Sequence, residues 1–145
     1  MVNGKIYVFG GFGAGATANE EYDPSADSWS TRSPMPTARD HIAVPVVEGK
    51  IHVIGGRLGS FARNLAAHEG YDPSTDTWSE AAPLPRARSG IASAVMEGRI
   101  YVFRGEETGG TFDANEVYDS QTDEWIRRSH STHGPPRTGG GGSGR

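Results

Sequence analysis

The feature that most constrains this chain is an octapeptide that it spells three times: YDPSADSW at 22–29, YDPSTDTW at 71–78 and YDSQTDEW at 118–125. A second string travels with it, as VNGKIYVFGG at 2–11, VEGKIHVIGG at 47–56 and MEGRIYVFRG at 96–105. Self-similarity at a fixed period marks an architecture in which one supersecondary unit stacks on copies of itself. Spacing shows which parts are rigid. Gly4 to Gly11, Gly49 to Gly56 and Gly98 to Gly105 are each seven residues, as are Tyr22 to Trp29, Tyr71 to Trp78 and Tyr118 to Trp125. Trp29 to Gly49 and Trp78 to Gly98 are each twenty. Only the stretch after the glycine pair varies, at 11 residues to Tyr22, 15 to Tyr71 and 13 to Tyr118. Constant spacing marks packed elements and variable spacing marks a loop.

Within each copy the pattern reads as short strands. Ile42–Val47 and Ile91–Met96 are apolar runs of strand length. A Glu-Gly turn follows, where glycine supplies the positive φ of a tight hairpin. KIYVFGG, KIHVIGG and RIYVFRG are β-branched and aromatic. After the variable loop a strand ends at the tyrosine, Asp-Pro-Ser makes a turn, and the tryptophan opens a fourth strand. PMPTAR and PLPRAR then break that strand and lead to the next copy. The 21 glycines and nine prolines of the 145-residue chain support this turn-rich reading.

Four antiparallel strands per repeat make one blade of a β-propeller, and stacking lets each blade cover its neighbour. Each Tyr and Trp is thus expected to act as a spacer between adjacent sheets. The glycine pair, the Tyr-Asp and the Trp seven residues later resemble the kelch repeat over residues 2 to about 128. The third copy departs from the pattern, with Arg104 in place of the first glycine and Ser120 in place of the proline, so the pattern leaves its turn geometry open. The fold expected is all-β, a partial propeller of three four-stranded antiparallel kelch blades, at about 1–36, 37–85 and 86–128. The first blade lacks its innermost strand. Residues 129–145 read as a flexible Gly/Pro/Arg-rich tail. Kelch propellers usually close with six or seven blades, so the chain reads as a fragment, or as a half that pairs with a second copy through open blade edges. Trp78, in the middle blade, is expected to matter more for stability than Trp125, in a terminal one.

Charge and composition narrow the function. Net charge is −4, and four of the 14 basic residues lie in 127–145, where there is no acid; the rest holds ten basic against 18 acidic residues. An acidic body argues against nucleic acid as partner. No apolar run is long enough to span a bilayer as a helix, and the N-terminus lacks the pattern of a signal peptide. Without cysteine there is no disulfide or thiolate chemistry, and the Tyr–Cys crosslinked copper centre carried by some kelch-fold oxidases cannot form. No cofactor and no metal site is expected. GGFGAGA matches the dinucleotide fingerprint loosely, but a strand follows where the pyrophosphate would need a helix N-terminus. The paired aspartates of DPSAD, DPSTD and DSQTD read as capped turns, with too few ligands for calcium. His130 and His133 have no third ligand nearby, and His41, His52 and His68 occupy unrelated repeat positions.

Arg39, Arg88 and Arg137 each open the innermost strand or its equivalent. The kelch resemblance implies that this position lies near the mouth of the central channel, where guanidinium suits carboxylate ligands. The same residues could instead pair with a carboxylate or carbonyl of the neighbouring blade. Arg57 and Arg63, in the longest variable loop, would add to the same face. The function expected is a binding scaffold for a protein or peptide partner rather than an enzyme, with the loops after the glycine pairs as its reading face. The alternative is a sugar-binding or sugar-processing propeller resembling the sialic acid mutarotases.

Overall fold

The computed structural model describes residues 1–107, 109–111 and 113–129. Arg137, His130, His133 and the tail beyond Ser129 lie outside the described residues. The chain is all-β, and its three main sheets are antiparallel blades. Blade 1 has three strands in the order β1 (Ile6–Phe9), β2 (Asn19–Asp23), β3 (Ser28–Thr31). Blade 2 runs β4 (Val46–Val47), β5 (Lys50–Ile54), β6 (His68–Asp72), β7 (Thr77–Glu80). Blade 3 contains β8 (Ala92–Met96) and β9 (Arg99–Phe103), then, after a small hairpin of β10 (Glu106–Glu107) and β11 (Gly110–Thr111), β12 (Asn115–Asp119) and β13 (Glu124–Arg128). The result is a partial propeller with a three-stranded first blade.

The innermost strand of blade 2 is shorter than its apolar run. Ala43 still exchanges hydrogen bonds with Ile54, and Pro45 O accepts from His52 N at 2.9 Å. Pro45 has no N–H to donate, so the regular ladder is confined to Val46 and Val47. The variable loops of blades 1 and 2 each hold a short 3-10 turn, Gly13–Thr17 and Phe61–Arg63.

The octapeptide has a double role. Within a blade, tyrosine and tryptophan are directly opposed across two strands, with ring centroids 5.0, 5.0 and 5.2 Å apart in blades 1, 2 and 3. The turn between them ends on Asp27, Asp76 or Asp123, at φ of +48°, +54° and +55°. Aspartate tolerates this left-handed conformation better than most residues. The first turn aspartate accepts a hydrogen bond two residues on, from Ser25 N, Ser74 N and Gln121 N. The turn with Ser120 therefore keeps the geometry of its two Pro-containing counterparts.

Between blades the same residues clamp one backbone unit. Asp76 Oδ1 accepts from Ser33 N at 2.9 Å, and Trp78 Nε1 donates to Ser33 O at 2.9 Å. One junction further on, Asp123 Oδ1 accepts from Ala82 N at 2.7 Å and Trp125 Nε1 donates to Ala82 O at 2.8 Å. Ser33 and Ala82 each stand four residues after the preceding blade's tryptophan. Tyr71 and Tyr118 donate to the same aspartates, at 2.7 and 2.8 Å. Asp76 is held below the usual carboxylate range by Tyr71 and the Ser33 amide, and Asp123 by the Ala82 amide and Tyr118. The clamp points toward the preceding blade, and among the described residues no blade stands before blade 1. Trp29 is accordingly 57% exposed, and Val8 is 44% exposed where its equivalents Val53 and Val102 are 0%.

The glycine pair divides its work between two neighbours. A Cβ on Gly10 would lie 2.5 Å from Arg39 O, and one on Gly55 would lie 2.7 Å from Arg88 O, both on the segment that leads into the following blade. A Cβ on Gly56 would meet Asp40 O at 2.6 Å, and one on Gly105 would meet Ile91 at 2.7 Å, both on the blade's own innermost segment. Arg104 takes the first position in blade 3 and keeps the left-handed φ, +56° against +70° at Gly10 and +63° at Gly55. No following blade stands against it among the described residues, which is why the side chain fits.

Two histidines lie at the junction of blades 2 and 3. His68 Nδ1 donates to Ala82 O at 2.9 Å, so its Nε2 keeps the lone pair that receives His52 Nδ1–H at 2.9 Å. The His68 ring stands edge-on to Tyr118 at 4.5 Å and to Trp125 at 5.6 Å. Burial pushes both imidazoles down from 6.5 to about 4, and for His52 the neighbouring His68 adds to the shift.

Two outcomes follow from these junctions. Trp78→Ala and Trp125→Ala should each cost about 3–5 kcal/mol in urea melts, whereas Trp29→Ala should stay within about 0.5 kcal/mol. Similar losses at all three positions would contradict a clamp that grips only the preceding blade. The histidines set a pH dependence. Below pH 6.5 the unfolded chain takes up protons that the folded chain refuses until about pH 4, so stability must fall as pH drops through this window. The loss is roughly 3 kcal/mol for a single histidine shifted this far. The depressed aspartates add their own loss only at lower pH. Replacing the pair by the residues of blade 1, His52→Tyr with His68→Asn, should flatten the melting temperature between pH 6.5 and 4, and an unchanged slope there would assign it to other groups.

Candidate functional site

The three variable loops leave the same end of their blades and are joined by side-chain contacts. Phe12, 71% exposed, precedes the first 3-10 turn, and its ring stands edge-on to His41 at 5.9 Å. His41 lies on the segment leading into blade 2. Its Nδ1 lies 2.5 Å from Asp40 Oδ1 and its Nε2 lies 2.8 Å from Arg57 Nη2. Because the guanidinium can only donate, Nε2 is the acceptor and Nδ1 carries the proton toward Asp40. Arg57, in the blade 2 loop, also reaches Glu106 of blade 3 at 3.2 Å and Asp40 at 3.4 Å. Asn64 Nδ2 donates to Glu106 O at 2.7 Å, and Arg86 donates to Glu107 at 2.9 Å. The contacts Phe12–His41–Arg57–Glu106 thus run from the first loop to the third.

The arginines singled out in the sequence separate into two layers. Arg57 belongs to this face and Arg63 is exposed on the same loop. Arg39 and Arg88 lie beneath it, with fully buried side chains. Arg39 Nη1 donates to Glu69 Oε2 at 2.7 Å and Nη2 to Val53 O at 2.9 Å, while Arg88 Nη2 donates to Glu116 Oε2 at 2.5 Å. Each pairs with a carboxylate of its own blade, on β6 and β12, rather than with a neighbour's. Their backbones reach across instead, Arg39 N to Ala16 O at 2.9 Å and Arg88 O from Gly56 N at 2.9 Å. In this structure neither guanidinium reaches the loop surface. Deleting one would strand a buried carboxylate, at a cost of about 3–5 kcal/mol.

Phe12, Asp40, His41 and Glu106 carried no signal for a repeat-based reading. Asp40-His41 aligns with Ser89-Gly90 in the next copy, so it does not recur. The usable signal is the position of the Asp40-His41 pair directly after Arg39, on a segment that the glycine pair brings close. Among the described residues no group of three or more His, Asp or Glu side chains could hold a metal ion, and no helix is long and apolar enough to cross a membrane.

Kelch-like protein 15 of Danio rerio is 38% identical over 63 residues, covering 37% of this chain and 10% of that protein. Kelch repeat and BTB domain-containing protein 12 of Homo sapiens is 36% identical over 66 residues, covering 38% of this chain and 11% of the relative. The chain therefore spans about a tenth of the length of these curated relatives. The solved structure of YjhT superposes with a TM-score of 0.79 and 18% identity, over 92% of this chain and 50% of that one, a likeness of fold alone. The Kelch motif matches at residues 1–36, 38–85 and 87–129, and with the strand order and repeated junctions above it places the chain in the kelch repeat family, as part of a β-propeller.

Proposed function

We propose that the chain binds a protein or peptide partner across the face formed by its variable loops. The observation that carries this reading is the contact chain from Phe12 through His41 and Arg57 to Glu106, which joins the loops of three blades into one surface. Phe12 supplies an exposed aromatic anchor and Arg63 an exposed cation, residue types that dominate binding hot spots. Arg57, held by Asp40 and Glu106, presents its remaining surface in a fixed orientation. The partner that fits is an extended segment with an apolar side chain near a carboxylate. Arg39 and Arg88 serve this face from below, by fixing the strands on which the loops stand.

Selection of a random peptide display library on the chain tests the proposal. Enriched peptides should pair an acidic with an apolar residue. Phe12→Ala or Arg63→Ala should weaken them about tenfold, a loss typical of a hot spot, and Glu124→Ala on the outer strand should not. Peptides indifferent to both loop variants would place binding elsewhere.

A second copy of the chain is a further partner, favoured by the exposed Trp29 together with Ile6 at 41% and Val8 at 44% on one face of blade 1. Sedimentation should show association that rises with concentration and is reduced by Trp29→Ser. A monomer at all concentrations would exclude it.

A further inference from the structure

The two blade junctions share a backbone but differ in filling. At the first, Tyr7, Glu21 and Arg32 form a cluster facing blade 2: Tyr7 donates to Glu21 Oε2 at 2.6 Å and Arg32 Nη2 to the same oxygen at 2.7 Å. At the second, the equivalent positions hold His52, Gly70 and Ala81. The register is the same, with Tyr7 opposite Glu21 and His52 opposite Gly70. A phenol, a carboxylate and a guanidinium are thus replaced by three smaller groups, and a cavity of about 290 Å³ opens between blades 2 and 3. Gly70 is not required by its backbone, since its φ is not left-handed and a Cβ would meet only Ser79, at 3.4 and 3.9 Å. What glycine supplies there is room.

The cavity is chemically one-sided. His52 lines it while only 6% exposed. Its Nδ1–H is committed to His68, and its Nε2 has no hydrogen-bond partner among the described residues. With the imidazole neutral, that nitrogen is an acceptor on a side chain that lines the space. Three carboxylates, Glu48, Glu80 and Asp123, also line it against one ammonium, Lys50. Gln121 of blade 3 donates to Glu48 at 2.8 Å and bridges the rim. We infer that this inter-blade cavity binds a small organic amine, its ammonium held by the lining carboxylates and a further N–H or O–H donated to His52 Nε2. The site is separate from the loop face and does not depend on the reading given for it.

The test is a titration of the full chain with ethanolamine and with 1,4-diaminobutane, followed through the ring signals of His52 and Tyr118 by NMR, with glycerol and acetate as neutral and anionic controls. Saturable shifts with the amines alone are expected. Refilling the cavity with the residues of blade 1, Gly70→Glu with Ala81→Arg, should weaken amine binding at least about tenfold. The rim charges give a second measurement that leaves the fold intact: Lys50→Gln should tighten amine binding and Glu80→Gln should loosen it. The inference is overturned by amines that give no saturable shift, by glycerol or acetate binding as tightly, by a folded refilled variant that binds unchanged, or by rim variants that do not move affinity in opposite directions.

Discussion

Everything in this chain hangs on a clamp of one backbone unit between an aspartate and a tryptophan. A sheet of three or four strands cannot hide both faces, and apolar contact alone would let blades slide over one another. Gripping the N–H and the C=O of the same residue, Ser33 or Ala82, removes that freedom. It also satisfies polar backbone groups where the chain leaves one blade and heads for the next, groups that would be costly to bury unpaired. The tyrosine beneath each clamp holds the aspartate in place and packs against the neighbouring sheet: Tyr71 on Phe9 at 5.9 Å, and Tyr118 on His68 at 4.5 Å.

With blades fixed this way, chemistry can vary wherever the clamp does not reach. One such place is the loop end, where length changes from copy to copy and side chains unique to one blade, such as His41 and Phe12, meet those of the next. Another is the middle of each junction, where Tyr7, Glu21 and Arg32 in one blade correspond to His52, Gly70 and Ala81 in the next. The clamp residues themselves scarcely change across the three copies, while these positions change in size, charge and protonation. The buried pair of histidines is a consequence. Only a junction already held elsewhere can accommodate two imidazoles whose charged forms are excluded by burial.

The sequence made the scaffold legible because the scaffold repeats. Constant Tyr–Trp and Gly–Gly spacings located the strands, the turns and the missing innermost strand of blade 1, and they marked the loops by their variable length. What repetition concealed was direction. Trp125 looked peripheral because it lies in the last copy, yet its indole is bonded to Ala82 O, and it is Trp29 that stands exposed. Repetition marked Arg39 and Arg88 without showing which of two roles they fill; each forms an ion pair inside its own blade, with Glu69 and Glu116. Arg57, which joins the loops, does not recur and was visible only through its loop. Pro45 shows the same limit in small: the apolar run predicted a longer strand than a residue without an N–H can support.

Direction also governs what the open faces can accept. Each blade reaches back to grip its predecessor and leaves a bare backbone unit for its successor, so the faces are unlike and stacking is head to tail. On blade 1 the grip of Asp27 and Trp29 is present, and Tyr22 already holds Asp27 at 2.7 Å. Any surface that satisfies it must offer the N–H and C=O of a single residue to that pair. On blade 3 the residue in register with Ser33 and Ala82 is Ser129. On the same blade, however, Arg104 occupies the position at which Gly10 and Gly55 let a following segment come within 2.5 and 2.7 Å of where a Cβ would be. A successor seated there in the ordinary way would collide with the arginine Cβ, a backbone-proximal atom that no rotamer can move. The third junction must therefore be wider at its inner end than the other two, whatever chain supplies it, and Arg104→Gly is the change that would let it close to their spacing.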